Sequence, residues 1–323
     1  MTSSEKQLPD YTLNADTAIE LDMPFSSAGV RLDNALASLM PDYSRSRIQD
    51  WIKQGLVHVN GRVLNVKDKV RGGEQVLVFA EPHPAELVAL PENIPIDVVY
   101  EDDSILVLNK PVGLVVHPGA GNWQGTLLNA LLFHYPAITH IPRAGIVHRL
   151  DKDTSGLMVV AKTLTAQTNL VRQLQARTVK REYLAVTQGV VDSDGTVDAP
   201  IGRHPTQRIK MAVVHSGREA VTRYWVLKRY MRNTLVRCAL ETGRTHQIRV
   251  HLSSIGHSLV GDSTYHRGQG SIIAGVRDFP RQALHATQLG LVHPVTGASM
   301  AWQIDPPADF AMLLMYLEDA ELL

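Results

Sequence analysis

The run His148-Arg149-Leu150-Asp151-Lys152-Asp153-Thr154-Ser155-Gly156 sets one carboxylate, Asp151, between a His-Arg pair and a Thr-Ser-Gly turn. A carboxylate serves as nucleophile or general base when it is ionised, oriented and shielded from bulk water. A neighbouring cation and a tight, hydroxyl-rich turn supply the first two conditions, and the fold must supply the third. Asp before Thr-Ser-Gly is also an ordinary way to make a turn, so the run by itself leaves both readings open. Two later segments add candidates: REYLAV, residues 181–186, with Tyr183, and ETGRTHQIRVH, residues 241–251, with Arg244, Ile248 and Arg249. Their bland readings are a core tyrosine with a satisfied hydroxyl and an arginine paired with a surface acid.

Taken in order, the three segments resemble the signature of the RluA-type pseudouridine synthases: His-Arg-Leu-Asp, two residues, Thr-Ser-Gly, then Arg-x-Tyr on a strand, then Gly-Arg-Thr-His-Gln-Ile-Arg. The resemblance runs from about Val98 to Gln303. It implies an RNA uridine isomerase that detaches uracil, rotates it and rejoins C5 to the sugar without a cofactor. Asp151 matches the family's essential aspartate, which could attack the sugar, attack the base or remove a sugar proton. Arg244 matches the arginine that pairs with that aspartate, and Tyr183 the active-site tyrosine whose ring packs on the base. Arg149 matches the residue that fills the stack when the uridine flips out, while Ile248 and Arg249 match the apolar wall and the distal cation of the pocket. The partner so implied is 23S rRNA or the assembling large ribosomal subunit, with the hairpin loop of helix 69 as target. Another structured RNA, a non-catalytic RNA-binding assembly factor and a base-releasing glycosidase are the alternatives.

Composition bounds these readings. The chain has 323 residues and 44% hydrophobic content, enough for one sizeable core and a smaller appended domain. One cysteine, Cys238, excludes a disulfide framework and a multi-cysteine zinc site. The fourteen histidines show no H-E-x-x-H or clustered spacing, so no metal is expected. His148, His246 and His251 sit near the motifs, but a general base is defined by geometry that spacing does not provide. The N-terminus lacks an apolar signal region and no stretch approaches a membrane span, which reads as a soluble, cytoplasmic chain, expected to be monomeric. HPGAGNWQG, residues 117–125, spaces its glycines G-x-G-x-x-x-G, a near miss to a dinucleotide loop, and a Walker A sequence is absent. The net charge is zero, yet residues 148–251 carry eighteen Lys and Arg against eight Asp and Glu. A +10 segment holding all three motifs suits a phosphate backbone.

The elements that must position these residues follow from pattern. Residues 1–23 read as a flexible acidic tail. Residues 24–82 read as a small domain: Val30, Leu32, Leu36 and Leu39 recur at helical spacing, a second helix starts from Ser44 with Ile48, Trp51 and Ile52 on its apolar side, a hairpin turns at Asn60-Gly61, and EQVLVFA closes the domain as a strand. With RLD at residues 31–33, SRSR at 44–47 and VNG at 59–61, this domain resembles the S4 RNA-binding domain, which implies Arg45, Arg47 and Lys53 as its RNA contacts. A proline-rich linker is expected at residues 83–96, then a second domain at 97–323. There DSILVLNK and GLVVHP read as strands, TLLNALLFHY as a helix, GLMVVAK as a buried strand entered from the Asp151 loop, residues 165–176 as a helix and KREYLAV as a strand. Thr245 reads as the N-cap of a helix stopped by Gly256, HATQLGLVHPVTGASMAW as a hairpin, and residues 308–320 as a last helix. Hairpin-joined strands with interspersed helices predict an α+β fold with a mainly antiparallel or mixed central sheet and flanking helices, the pseudouridine synthase fold that the resemblance implies.

Overall fold

The computed structural model describes residues 18–40, 43, 45–79, 90–119, 121–207, 209–266 and 273–321, without the side chains of residues 46, 47 and 274. The chain divides into two units after Val88. The first contains β1 (Ala18–Asp22), α1 (Leu32–Leu39), α2 (Arg45–Lys53), β2 (Val57–Val59), β3 (Arg62–Val63) and β4 (Gln75–Phe79), with the strands in the antiparallel order β1-β4-β2-β3. Leu32 and Leu36 of α1 and Ile48, Trp51 and Ile52 of α2 pack with Val57, Val76 and Val78 of the sheet. Asn60 and Gly61 both take positive φ, 48° and 75°, the backbone that a two-residue hairpin turn needs.

Two expectations change here. Residues 18–22, expected in the flexible tail, form the edge strand β1, because AIELD alternates and turns Ile19 and Leu21 toward the core while its backbone pairs with β4. Residues 1–17 of the expected tail lie outside the described residues. Val30 precedes α1 and is exposed, so the helical run starts at Leu32.

Asp33 holds the two helices together. Its fully buried carboxylate accepts from Arg31 (3.0 and 3.2 Å), from Arg45 (2.9 and 2.7 Å) and from Gln49 (2.6 Å). Burial alone would raise its pKa, but these donors outweigh it and bring the group from 3.8 down to about 2.

The second unit contains β5 (Asp97–Glu101), β6 (Ile105–Lys110), α3 (Leu127–His134), β7 (Ser155–Ala161), α4 (Leu164–Gln175), β8 (Lys180–Gln188), β9 (Gly195–Asp198), β10 (Ile201–Arg203), β11 (Met211–Val213), β12 (Val221–Arg229), β13 (Asn233–Leu240), α5 (Gln247–Ser254), α6 (Ala274–Arg277), β14 (Leu284–Val292), β15 (Ser299–Gln303) and α7 (Ala308–Asp319). Its sheet runs β5-β6-β7-β14-β8-β13-β12-β9 with β15 beside β14, and β10 and β11 pair separately. The contacts between neighbours in the large sheet are antiparallel except where β7 meets β14. This is the mixed α+β sheet that the sequence predicts. One of its faces carries the largest core, in which Leu127 and Leu131 of α3 and Ile248 and Leu252 of α5 meet Leu106, Leu108, Met158, Val160, Tyr183 and Ala185. GLVVHP contributes only an isolated bridge at Val115 rather than a strand. Residues 80–89 of the proline-rich stretch lie outside the described residues. Residues 90–94 are bonded to the second unit, where Gly125 N–H donates to the Glu92 carboxylate at 2.9 Å and Asn129 Nδ2 donates to the Leu90 carbonyl at 2.8 Å.

The Asp33 cluster sets the acid response of the first unit. A carboxyl whose pKa is depressed on folding stabilises the fold above its unfolded value, and that contribution is lost as pH falls from about 4 through 2. Asp33→Asn should cost on the order of 2 kcal/mol at neutral pH and remove this part of the acid dependence. Hydrogen exchange of the α1 and α2 amides in the full chain, measured from pH 7 to pH 3, reads both effects.

Candidate active site

The loop bearing Asp151 is fixed residue by residue. His148 Nε2 accepts from Val159 N–H at 3.0 Å, and Leu150 is buried in the main core. Arg149 between them stays exposed. Thr154 N–H closes a turn onto the Asp151 carbonyl at 3.1 Å. The next three residues then fasten the loop to β14 and the segment before it. Thr154 Oγ1 accepts from Gln282 at 3.1 Å, Ser155 Oγ lies 2.9 Å from His285 Nδ1, and Gly156 lets β7 approach β14 so closely that a Cβ there would stand 2.2 Å from the Ala286 oxygen. Thr, Ser and Gly are therefore three anchors rather than only turn-formers.

Two interior cations hold the same loop by its carbonyls. Lys110, fully buried at the end of β6, donates to the carbonyls of Pro111 (2.7 Å), Leu114 (3.0 Å) and Lys152 (3.0 Å), which matches the three donors of an ammonium. Burial brings its pKa down to about 7, against the pull of Asp153 and Asp151. Arg281 reaches the Asp153 carbonyl at 3.1 Å and is itself paired with Asp309 at 2.7 and 3.0 Å. Neither cation stood out in the sequence, because nothing in their spacing relates them to Asp151.

The carboxylate of Asp151 meets Arg249, whose Nη1 donates to Oδ2 at 3.0 Å. Arg249 is almost wholly buried, and Asp262 takes its other donors, Nε at 2.7 Å and Nη2 at 2.9 Å. Asp262 is oriented in turn by the backbone N–H groups of Thr264 (2.9 Å) and Tyr265 (3.0 Å). Burial opposes the charge on both partners. Asp262 and Asp151 more than offset it for Arg249, and Arg249 holds Asp262 below the usual carboxylate range. The expected pairing of Arg244 with Asp151 is therefore corrected. Arg244 lies ahead of α5 and donates its Nε to the Glu219 carbonyl at 2.9 Å, whereas Arg249, in the first turn of α5, points inward. Arg249 is the proximal cation of the site and not a distal one.

Tyr183 on β8 and Ile248 on α5 are buried in one cluster, with Cys238 and Ala286 flanking Tyr183 across the sheet. Burial raises the Tyr183 pKa, Arg181 opposes this, and the Asp151 charge adds to it, so the hydroxyl is held neutral. His148 is pushed by burial to about 3, and burial with Arg281 brings His285 to about 4. His251 bonds Thr222 Oγ1 and the Ala199 carbonyl, each at 2.9 Å, a structural placement.

His246 was not assigned a role from spacing, yet it lies in the site. It is the N-cap of α5, one residue later than expected, in the left-handed conformation at φ 56°. Its Nε2 is 3.8 Å from Asp151 Oδ1, and its Nδ1 is 2.7 Å from the Tyr265 hydroxyl, which also accepts from Met211 N–H at 2.9 Å. With the Tyr265 proton donated to Nδ1, the Nε2 proton faces the carboxylate, an arrangement that avoids opposing a lone pair to it. Backbone strain of this kind is sustained by surrounding structure and clusters at functional sites. Asp262 and Tyr265 also went unnoticed in the sequence, since GDSTY carries no recognisable signal.

In the first unit Arg45 is half-exposed and bound to Asp33, and Lys53 pairs with Asp50 at 3.1 Å. The Arg47 side chain lies outside the described residues. Among the described residues no group of three or more His, Cys, Asp or Glu side chains is placed to hold a metal ion, and no helix is long and apolar enough to cross a membrane.

Known proteins share this arrangement of segments. The family model described as RNA pseudouridylate synthase matches residues 104–254, and that of the S4 domain matches residues 30–76. The chain is 53% identical over 312 residues to a ribosomal large subunit pseudouridine synthase D of Pasteurella multocida, covering 94% of this chain and 96% of that protein. It is 54% identical over 306 residues to the protein of the same name in Nitrosomonas europaea, covering 94% and 89%. Among solved structures, human RNA Pseudouridylate Synthase Domain Containing 4 superposes with a TM-score of 0.55 at 28% identity, covering 69% of this chain and 93% of that one.

The geometry separates the two arginines experimentally. Arg249→Lys keeps one charge but cannot bridge Asp151 and bind Asp262 with two donors, so turnover should fall by about 100-fold or more. Arg244→Ala should cost at least about tenfold less than Arg249→Lys in single-turnover rate. A larger loss for Arg244→Ala would contradict this placement.

Proposed function

This chain belongs to the RNA pseudouridylate synthase family, and we propose that its substrate is large-subunit rRNA, with uridines in the hairpin loop of helix 69 as the targets. Conversion of RNA uridine to pseudouridine follows from the family. The large-subunit substrate is supported by the names of relatives more than 50% identical over nearly the whole chain. The charge of residues 148–251 supports a polyanionic partner, since neutralised phosphates release their counterions.

The observation that carries the site reading is the aim of Asp151. Its Oδ2 is tied to Arg249, the carboxylate is partly shielded, and its charge reaches Tyr183, which is buried in one cluster with Ile248, so in this reading a directed carboxylate works beside the residues that receive the base. Asp151 acts on the sugar or the base to open the C1′–N1 bond, and Tyr183 packs on the detached uracil and handles a proton. Arg149, exposed two residues before Asp151, takes the place that the flipped uridine leaves in the stack. Unstacking costs a few kcal/mol, which contacts from the basic surface offset. Arg244 and the basic residues Arg47 and Lys53 serve RNA contact, and Arg45, bound to Asp33, braces the helix that presents them.

Rejoining through C5 ejects its hydrogen, so tritium release from large-subunit rRNA labelled at uridine C5 tests the reaction. Wild type should release tritium, and Asp151→Asn should reduce release by about a thousandfold or more. Equal release from both would remove Asp151 from the chemistry. Alkali-labile abasic sites without tritium release would favour a base-releasing glycosidase instead.

A further inference from the structure

Arg181 takes no part in the contacts above, although it lies where all three motif segments meet. It precedes Tyr183 by two residues on β8, which places both side chains on one face of the strand. Its charge acts on Tyr183 and on His148, and a methyl group at Gly243 would stand 2.8 Å from its Nη1. It is only 8% exposed. Among the described residues its guanidinium has no carboxylate or carbonyl partner, and its Nε is buried without an acceptor. The other buried arginines of the unit are paired: Arg249 is taken up by Asp262 and Asp151, and Arg281 by Asp309. An arginine withdrawn from water without a counter-charge costs several kcal/mol, and burial accordingly pulls its pKa down. A fold retains such a group where an incoming molecule supplies the missing acceptor.

We propose that Arg181 is a further catalytic residue, whose guanidinium receives a carbonyl oxygen of the target uracil and stabilises the negative charge on the base when the C1′–N1 bond opens. This rests on the reading that a uridine is detached at this site. The electron pair of the broken bond passes to N1 and spreads to O2 and O4. At the sugar, either Asp151 bonds C1′, or it takes the C2′ proton and a C1′–C2′ double bond forms. C5 of the rotated base then bonds C1′, displacing the carboxylate or returning the proton to C2′. The C5 proton leaves to water and N1 takes one up. Arg181 donates hydrogen bonds throughout and loses no proton. The missing Cβ at Gly243 leaves room for the flat guanidinium beneath the loop that carries Arg244.

The test compares wild type, Arg181→Met and Arg181→Lys as full-length proteins, in single turnover on one large-subunit RNA carrying uridine or 5-fluorouridine at the target. Loss of the N1-linked nucleoside is read by mass spectrometry after digestion. Fluorine makes the departing base a more stable anion that needs less help. Arg181→Met should slow conversion of uridine about 100-fold, leave RNA Kd within about twofold, and keep or raise the melting temperature, because an unpaired buried charge has gone. The wild-type-to-Met ratio should shrink to less than about tenfold on 5-fluorouridine, with Arg181→Lys intermediate on both RNAs. An equal ratio on the two RNAs, or a defect confined to Kd as a phosphate contact would give, overturns the proposal. A wild type that converts neither RNA overturns the functional reading beneath it.

Discussion

The second unit depends on one shared guanidinium. Arg249 spends two donors on Asp262 and one on Asp151, and only the first of these carboxylates is fully buried. A lone buried Arg–Asp pair gains little over apolar packing, because desolvation consumes much of the attraction. Here the pair does something packing cannot do. Asp262 fixes the plane of the guanidinium, and the remaining Nη1–H then fixes where the Asp151 oxygen lies. The α5 helix, the left-handed turn at His246 and the Thr264 and Tyr265 amides all serve to put that plane in one place.

Much of this architecture was legible in the sequence where a single period governs an element. Strand β7 reads as a buried run because both of its faces are covered, and α3, α4, α7 and the β14–β15 hairpin carry clear helical or turn signals. The segment from about residue 190 to 240 gave no such reading. Its strands β9 to β12 are short or bear charged, half-exposed side chains, and they are defined by neighbours distant in sequence. Strand β1 was hidden for a related reason, since its five residues gain their order only from pairing with β4, more than fifty residues away.

The site divides along the same line. Asp151 and Tyr183 could be singled out because their motifs are local. Which arginine meets Asp151 could not, because Arg244 and Arg249 are separated only by where α5 begins, and a shift of one residue in the N-cap turns a side chain by about 100° around the helix axis. Lys110, Arg281 and Asp262 act through carbonyls and carboxylates far from them in sequence, so spacing offers no route to them. In the first unit the reverse holds. SRSR suggested a set of RNA contacts, but the structure commits Arg45 to the interior carboxylate of Asp33, which makes part of that basic face a scaffold.

The Asp151 loop is clamped from two sides, by cations on the carbonyls of residues 152 and 153 and by β14 and its approach on residues 154–156. It has little freedom to adapt to what arrives. Whatever distortion is needed to bring a uridine and Asp151 together must then be borne by the nucleic acid. Selection among RNAs therefore becomes a question of how cheaply each one deforms, and loops already poorly stacked enter this rigid site at the smallest cost.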